Sequence, residues 1–339
     1  MEPIILPRIS DIRPLVSVIS ITYNHEPYIK DCLEGFLMQK TDFPIEIIIH
    51  DDASTDHTAD ILLEYYKKRP DLFHIIIESD NQFSQGKGIC LPLYKEAQGK
   101  YIALCEGDDY WVDPLKLQKQ FDFMESHDMY SSTIHNYNQK DELTGKTIPY
   151  KNLYRFRRNI LLSDIIRNGT SSIHVCTLFF RKETIKEYYT FKRKCPVGDY
   201  ALFMCLATQG MMNYDNTIMA TYRYNSVTSW SKRFNHDPML RIKHCRKGIL
   251  WLKEMEMIVG TNNKDFSIAK GEYYFNIYKE TEDRKCILGN KHCLRYIANK
   301  PVKTIILTLL WLFFPKALVF VSRTRSSQKS NMNILNKNS

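Results

Sequence analysis

Glycine and proline are scarce, 13 of each in 339 residues, and the chain holds no Cys-x-x-Cys pair and no Gly-x-Gly-x-x-Gly turn. With 44% hydrophobic and 12% aromatic residues, that scarcity excludes a disordered chain or a repeat fibre and leaves one large core or two smaller ones. The nine cysteines are scattered and odd in number, so neither a zinc knuckle nor a redox motif is supported. Those in apolar runs (Cys105, Cys176, Cys205) act as small hydrophobes. The first strand-like run continues as "ITYNHEPYI", without a glycine, which excludes a dinucleotide-binding oxidoreductase. The Gly-rich basic loop with which nucleotidyl transfer usually begins is also missing. Lys and Arg outnumber Asp and Glu by 47 to 38, a formal +9. These basic residues are dispersed and accompany no helix-turn-helix or zinc signature, so no nucleic-acid partner is expected. The opening "MEPIILPRISDIRP" puts proline and acids where a secretory signal needs a basic head and a long apolar stretch, and a cytoplasmic chain is expected.

What is present alternates. "LVSVISITY" (15–23), "IEIIIHDD" (45–52), "LFHIIIES" (72–79) and "YIALC" (101–105) are β-rich runs of the kind buried on both faces. Between them "YIKDCLEGFLMQ", "TADILLEYYKKR" (58–69) and "GICLPLYKEAQG" (88–99) have helical character, and "PLKLQKQFDFMESH" (114–127) is a further amphipathic helix. Ser54, Thr55 and Asp56 offer caps before the second helix. Strands and helices at this spacing predict an α/β chain with a mostly parallel sheet and right-handed crossovers. Later, "SIHVCTLFFRK" (172–182) and "TIMATYRYN" (217–225) read as strands, and "DYALFMCLATQG" (199–210) as a helix closed by Gly210. From residue 233 to 300 the period is helical. The expected organisation is a catalytic α/β domain over 1–232, a helical region over 233–300, an apolar segment over 301–322 and a polar tail over 323–339. The stretch "TIILTLLWLFFPKALVFV" (304–321) is flanked by Lys303, Arg323 and Arg325 and kinked by Pro315. A spanning helix needs about 20 apolar residues, so an interfacial membrane contact is expected there.

The densest chemistry lies in "YIALCEGDDYW", where Glu106, Asp108 and Asp109 occupy three of four positions. Like charges that close repel, and a divalent cation relieves the repulsion; Mg2+ and Mn2+ prefer oxygen ligands and leave positions for substrate phosphates. In a doubly wound sheet, ligands bind beyond the carboxyl ends of the strands. Thr22-Tyr23-Asn24, Asp51-Asp52 and Glu106 to Asp109 are each expected at such an end, and therefore on one rim.

"VSVISITYNHEPYIKDCLEGFLMQ", "IEIIIHDDASTDHTADIL" and "GKYIALCEGDDYWVDPLKLQKQ" together resemble the nucleotide-sugar-dependent glycosyltransferases of family 2, which have the GT-A fold. The resemblance is strong over 15–125 and extends to about 232. It implies a sugar transfer from a nucleoside-diphosphate sugar, most commonly UDP-linked, to a glycan or lipid-linked acceptor. It also implies dependence on Mn2+ or Mg2+ and a place at the inner face of the cell membrane. On matching positions, Thr22, Tyr23 and Asn24 would line the nucleotide pocket, Asp51 or Asp52 would accept from the base, and Lys87 would face the donor phosphates. Asp108 and Asp109 would hold the metal, with Glu106 standing where the family has its first Asp. "CPVGDYALFMCLATQG" makes Asp199 the general base of an inverting reaction, although its place at a helix start also suits an N-cap. His135 and His174 are expected on strands near the acceptor side. The Gln-x-x-Arg-Trp pattern of processive synthases is absent, so one transfer per encounter is expected. A catalytically inactive, nucleotide-sugar-binding partner in a glycan-assembly complex, or a nucleotidyltransferase, is the alternative.

Overall fold

The run Val16–Thr22 (β2) is buried almost throughout because both faces of its strand are covered by helices. A computed structural model describes residues 2–150, 158–169, 173–226, 234, 237–260, 263–302 and 305–306. Ahead of β2, Ile4–Leu6 forms β1. After it come α1 (Ile29–Leu37), β3 (Ile45–Asp51), α2 (Thr58–Lys68), β4 (Phe73–Ile77), α3 (Cys90–Glu96) and β5 (Tyr101–Leu104). Then follow β6 (Tyr110–Trp111), α4 (Lys116–Glu125), β7 (Tyr130–Asp141), β8 (Thr147–Pro149), β9 (Arg158–Ile160) and α5 (Leu162–Asn168). The core closes with β10 (Phe179–Arg181), α6 (Tyr188–Lys192), α7 (Gly198–Gln209) and β11 (Met211–Tyr224). Three helices end the described chain: α8 (Pro238–Val259), α9 (Asn263–Thr281) and α10 (Lys291–Ala298).

The strands form one mixed sheet in the order β1-β4-β3-β2-β5-β10-β7-β11-β6, with β8 on β7 and β9 on β11. Its centre, β4-β3-β2-β5, is parallel, as the alternating pattern predicts. The register sets Thr22 beside Asp51 and Ile19 beside Leu104, so the carboxyl ends of β3, β2 and β5 lie along one edge. The expectation of a continuous strand over 172–182 is corrected. Val175–Thr177 is a short 3-10 turn, and only Phe179–Arg181 pairs, antiparallel to both β5 and β7. The strand expected from residue 217 begins earlier, at Met211, and runs parallel to β7 through register shifts.

The helical faces follow from spacing. Ile29, Cys32, Leu33 and Phe36 recur at three and four residues and are all buried on α1. They join Val16, Val18, Ile47, Ile49 and Trp111 in the main core. Gly35 makes this packing possible, because a Cβ there would lie 2.9 Å from the backbone N of Trp111. That residue follows the acidic turn, so the contact between α1 and β6 helps to fix the turn.

The chain divides into two compact units, Met1–Arg241 and Ile242–Ser339. In the second, α9 and α10 approach closely at Gly271, whose missing Cβ leaves room for the carbonyl of His292. Tyr278, Ile287, Cys293 and Ile297 form a small core there. Among the described residues no helix is long and apolar enough to cross a membrane. The apolar stretch 304–321 lies outside the described residues except for Ile305 and Ile306.

Gly35→Ala is expected to destabilise the first unit by about 1–3 kcal/mol, because backbone rather than a flexible side chain must move. Denaturant unfolding of the purified chain checks this, and an unchanged midpoint would show that α1 shifts freely.

Candidate active site

The β2–α1 and β3–α2 loops are stitched together by side chain to backbone bonds. The backbone N–H of Asn24 donates to Ser54 Oγ at 2.9 Å, and the Thr55 N–H donates to Asn24 Oδ1 at 2.7 Å. The N–H groups of His25 and Glu26 donate to Thr58 Oγ1 (2.9 Å) and Asp56 Oδ2 (3.1 Å). Asn24 and Ala53 both have left-handed backbone, with φ of 54° and 60°. Such conformations are uncommon outside glycine and persist where surroundings enforce them. Tyr23 is left partly exposed at this edge, whereas Thr22 is buried with its hydroxyl lacking a hydrogen-bond partner.

Asp51 and Asp52 are both enclosed but serve different loops. Asp51 accepts the N–H and the hydroxyl of Ser54. Burial pushes its pKa up, against the lowering effect of those two bonds. Asp52 accepts the N–H groups of Gln82 (2.7 Å) and Phe83 (3.1 Å), and its carbonyl accepts from Asn81. It thereby anchors the loop that carries Lys87, whose exposed ammonium bonds Gln82 Oε1 at 2.7 Å.

The acidic turn follows β5. Gly107 fits between strands because it has no side chain: a Cβ would come within 2.8 Å of Thr22 Oγ1 and 2.9 Å of His25 Nδ1. Its N–H donates to the carbonyl of Ile21. The end of β2 and the acidic turn are therefore in direct contact. Glu106, Asp108 and Asp109 each bring a carboxylate oxygen within 4.8 Å of the others. Asp109 is fully enclosed, and its two oxygens differ. Oδ1 accepts the N–H of Arg223 at 2.9 Å, whereas Oδ2 has no hydrogen-bond partner among the described residues. The nearest group to Oδ2 among the described residues' ion-pair contacts is His174 Nδ1 at 3.5 Å. Burial holds the His174 pKa down at about 3, so the ring is neutral and this contact is no ion pair.

Burial, then repulsion from Asp108, pushes Asp109 well above the usual carboxylate range. Glu106 moves in the same direction, through desolvation and repulsion from Asp199 and Asp108. Glu106 nevertheless reaches solvent, which screens its charge, so the shift carries more consequence at Asp109.

Asp199 belongs to the same cluster, since its charge raises both Glu106 and the Cys90 thiol. The N-cap reading for Asp199 is corrected: Val197 occupies the capping position, and Asp199 is the second residue of α7. Its carboxylate is half-buried and its pKa is raised by burial, with Lys192 pulling the other way. His135 lies apart from this chemistry. It is buried, bonds the Asn136 carbonyl through Nδ1 and is held neutral by burial and by Lys116.

Arg223 is the functional residue that sequence reasoning passed over. From β11 it reaches the Asp108 carbonyl (2.8 Å), Glu142 (2.9 Å) and Asp31, with its guanidinium 4.4 Å from the Tyr110 ring centre. The signal was available in "TYRYN", an arginine amid strand residues, but its partners lie 81 to 192 positions away.

A parallel centre with an acidic turn at its carboxyl edge is the GT-A arrangement. The solved structure of residues 1–349 of S. aureus TarS, in complex with UDP-GlcNAc, superimposes with a TM-score of 0.59 at 17% identity, over 84% of this chain and 78% of that one. The chain belongs to glycosyl transferase family 2, whose model matches residues 17–189. An uncharacterised Mycobacterium tuberculosis protein is 47% identical over 112 residues, 33% of this chain and 32% of that one. The chain thus matches about a third of the length of these mycobacterial relatives. The Escherichia coli UDP-Glc:alpha-D-GlcNAc-diphosphoundecaprenol beta-1,3-glucosyltransferase WfaP is 31% identical over 214 residues, 61% of this chain and 76% of its own length.

A carboxyl with a raised folded-state pKa binds its proton more tightly folded than unfolded, so it costs stability as pH rises through the gap between the two values. With divalent ions chelated, Asp109→Asn is expected to raise the thermal midpoint, and by more at about pH 8 than at about pH 6. The new amide keeps the Arg223 bond and meets a neutral ring nitrogen on His174. An equal effect at both pH values would mean that Asp109 titrates normally.

Proposed function

We propose that the chain transfers a sugar from a nucleoside-diphosphate sugar, UDP-linked, to a hydroxyl of a glycan or lipid-linked acceptor, with inversion at C1. The observation that carries this reading is the enclosed Asp109, whose Oδ2 lacks a hydrogen-bond partner, within a carboxylate triplet at the carboxyl edge of parallel strands. An oxygen so placed requires a proton or a cation, and three crowded carboxylates suit Mn2+ or Mg2+. Asp109, Asp108 and Glu106 would hold that ion. When bound, it supplies positive charge to a diphosphate leaving group.

The chain's own residues supply the rest. Thr22, Tyr23 and Asn24 line the nucleotide side, and Asp51 or Asp52 accepts from the base. Lys87 faces the donor phosphates from the loop that Asp52 anchors. Asp199 takes the proton of the acceptor hydroxyl as its oxygen bonds to C1. The C1–O bond to the diphosphate breaks, and the leaving oxygen keeps the electron pair. Burial of Asp199 favours this role, because a raised pKa makes its carboxylate a stronger base near neutral pH. The name of the E. coli relative, which specifies UDP-Glc and a diphosphoundecaprenol-linked acceptor, supports a UDP-sugar donor and a lipid-linked acceptor in cell-surface polysaccharide assembly.

Asp199→Asn is expected to lower turnover by at least about a hundredfold while donor affinity stays within a few-fold. Asp109→Ala is expected to remove Mn2+-dependent donor binding. Calorimetry with a panel of nucleotide sugars, with and without Mn2+, reads donor binding in both variants, and release of the nucleoside diphosphate reads turnover. Full turnover in the first variant moves the base elsewhere, and unchanged binding in the second removes the metal assignment.

Peripheral attachment to the inner membrane face through 301–322 belongs to the same proposal. Deleting the residues after Lys300 is expected to release the protein from the membrane fraction, and unchanged partition would dismiss that anchor.

A further inference from the structure

Asp109 Oδ2 is shared by a second set of potential ligands that the proposed reaction does not use. His174 Nδ1 lies 3.5 Å from it, and Cys176 Sγ lies 3.9 Å from His174 Nδ1. All three ligand atoms fall within 4.8 Å of one another. Cys176 and Asp109 are fully enclosed, and His174 is only partly accessible.

A tetrahedral Zn2+ has bonds of roughly 2.3 Å to sulfur and 2.0–2.2 Å to nitrogen and oxygen. Those lengths give ligand-to-ligand edges of about 3.4 Å for nitrogen to oxygen and about 3.6 Å for sulfur to nitrogen. The observed 3.5 and 3.9 Å are close to both, so an ion needs little movement of the chain. Two features fit a thiophilic cation. One thiolate and one carboxylate neutralise a divalent charge. Asp109 Oδ2 is enclosed, with the His174 ring and the Cys176 thiol as its neighbours. The Tyr222 ring, tilted by 32° to the His174 ring with centres 3.6 Å apart, holds the imidazole in place.

We infer that Asp109, His174 and Cys176 form a site for a thiophilic divalent cation such as Zn2+, mutually exclusive with the oxygen-liganded ion. Binding releases the Cys176 proton to solvent and forms the sulfur–metal bond. Because Asp109 belongs to both groups of ligands, Zn2+ acts as an inhibitor that draws Asp109 from the carboxylate triplet. The inhibitory half of this inference rests on the function proposed above, whereas the binding half does not.

Co2+ added to the full-length, chelator-stripped protein reads the binding half directly. A thiolate-to-cobalt absorption in the near ultraviolet is expected, and Cys176→Ser is expected to abolish it. His174→Gln is expected to weaken Co2+ binding by about tenfold or more. Circular dichroism checks that each variant is folded; if the serine variant is not, the His174 variant decides. An absorption band that persists in Cys176→Ser, or Co2+ affinity unchanged in His174→Gln, overturns the site. For the second half, Zn2+ is expected to release bound Mn2+ from the native protein, seen as the free-ion signal in electron paramagnetic resonance, at about a tenfold lower concentration than from Cys176→Ser, where Zn2+ competes only for the oxygen ligands; equal concentrations for the two proteins overturn this half. A cobalt band without any Mn2+ binding would keep the thiophilic site and defeat the proposed reaction. Simultaneous binding of Mn2+ and Zn2+ would defeat the competition.

Discussion

One buried guanidinium holds the acidic edge of this molecule in shape. Arg223 is only 2% exposed, and a charge so enclosed is tolerated when its donors are met. They are met by acceptors from three parts of the chain: Asp31 on α1, the Asp108 carbonyl and Glu142 beyond β7. Its backbone N–H then fixes Asp109 Oδ1. The turn is thus oriented by its backbone and by one carboxylate oxygen, and the other oxygen is left over. Replacing this arginine by a lysine keeps the charge but loses the planar fork that spans these acceptors.

That leftover oxygen is enclosed without a hydrogen bond among the described residues. Asp109 Oδ2 sits where three different partners compete: a proton, the weak contact of a neutral imidazole at 3.5 Å, or a cation. Burial makes the bare anion the costly state, which is why its pKa rises. In a solvated acidic turn, water would satisfy the same oxygen. Asp199 is likewise raised by burial, and Val197 rather than Asp199 holds the N-cap position of α7.

Much of this edge was legible because it rests on local pattern. The β-branched runs ending at Thr22 and Asp51 announce their strands, and neighbouring parallel strands bring those ends together without further information. What could not be read depends on long-range pairing. The strand Phe179–Arg181 has three residues, too few for a period, and its antiparallel place between β5 and β7 is set by its neighbours. His174 was expected on a strand, but the chain turns at Val175–Thr177 and brings it towards Asp109. Arg223 was visible as a letter, but its meaning lies in acceptors from the distant acidic turn, α1 and the segment beyond β7.

The acids along the edge also differ in how far the chain itself satisfies them, and this separates framework from ligand-binding capacity. Asp52 spends both oxygens on the N–H groups of Gln82 and Phe83, and Asp56 takes bonds from Glu26 and Thr58 on its two oxygens. Asp51 is occupied by Ser54, which in turn receives the Asn24 N–H, so these acids order loops. A carboxylate has about four acceptor positions, so one already bonded twice still accepts a further donor; that suits recognition of an N–H on a base, a weak and directional demand. The acidic turn is different, because Asp109 retains an enclosed oxygen with no hydrogen bond. Saturated acids therefore shape the rim where a neutral part of a ligand would lie, and unsaturated acids mark where positive charge is required. The division runs along the sheet from β3 to β5, and in the function proposed above it would set the donor's base towards Asp51 and Asp52 and its charged end towards Asp109.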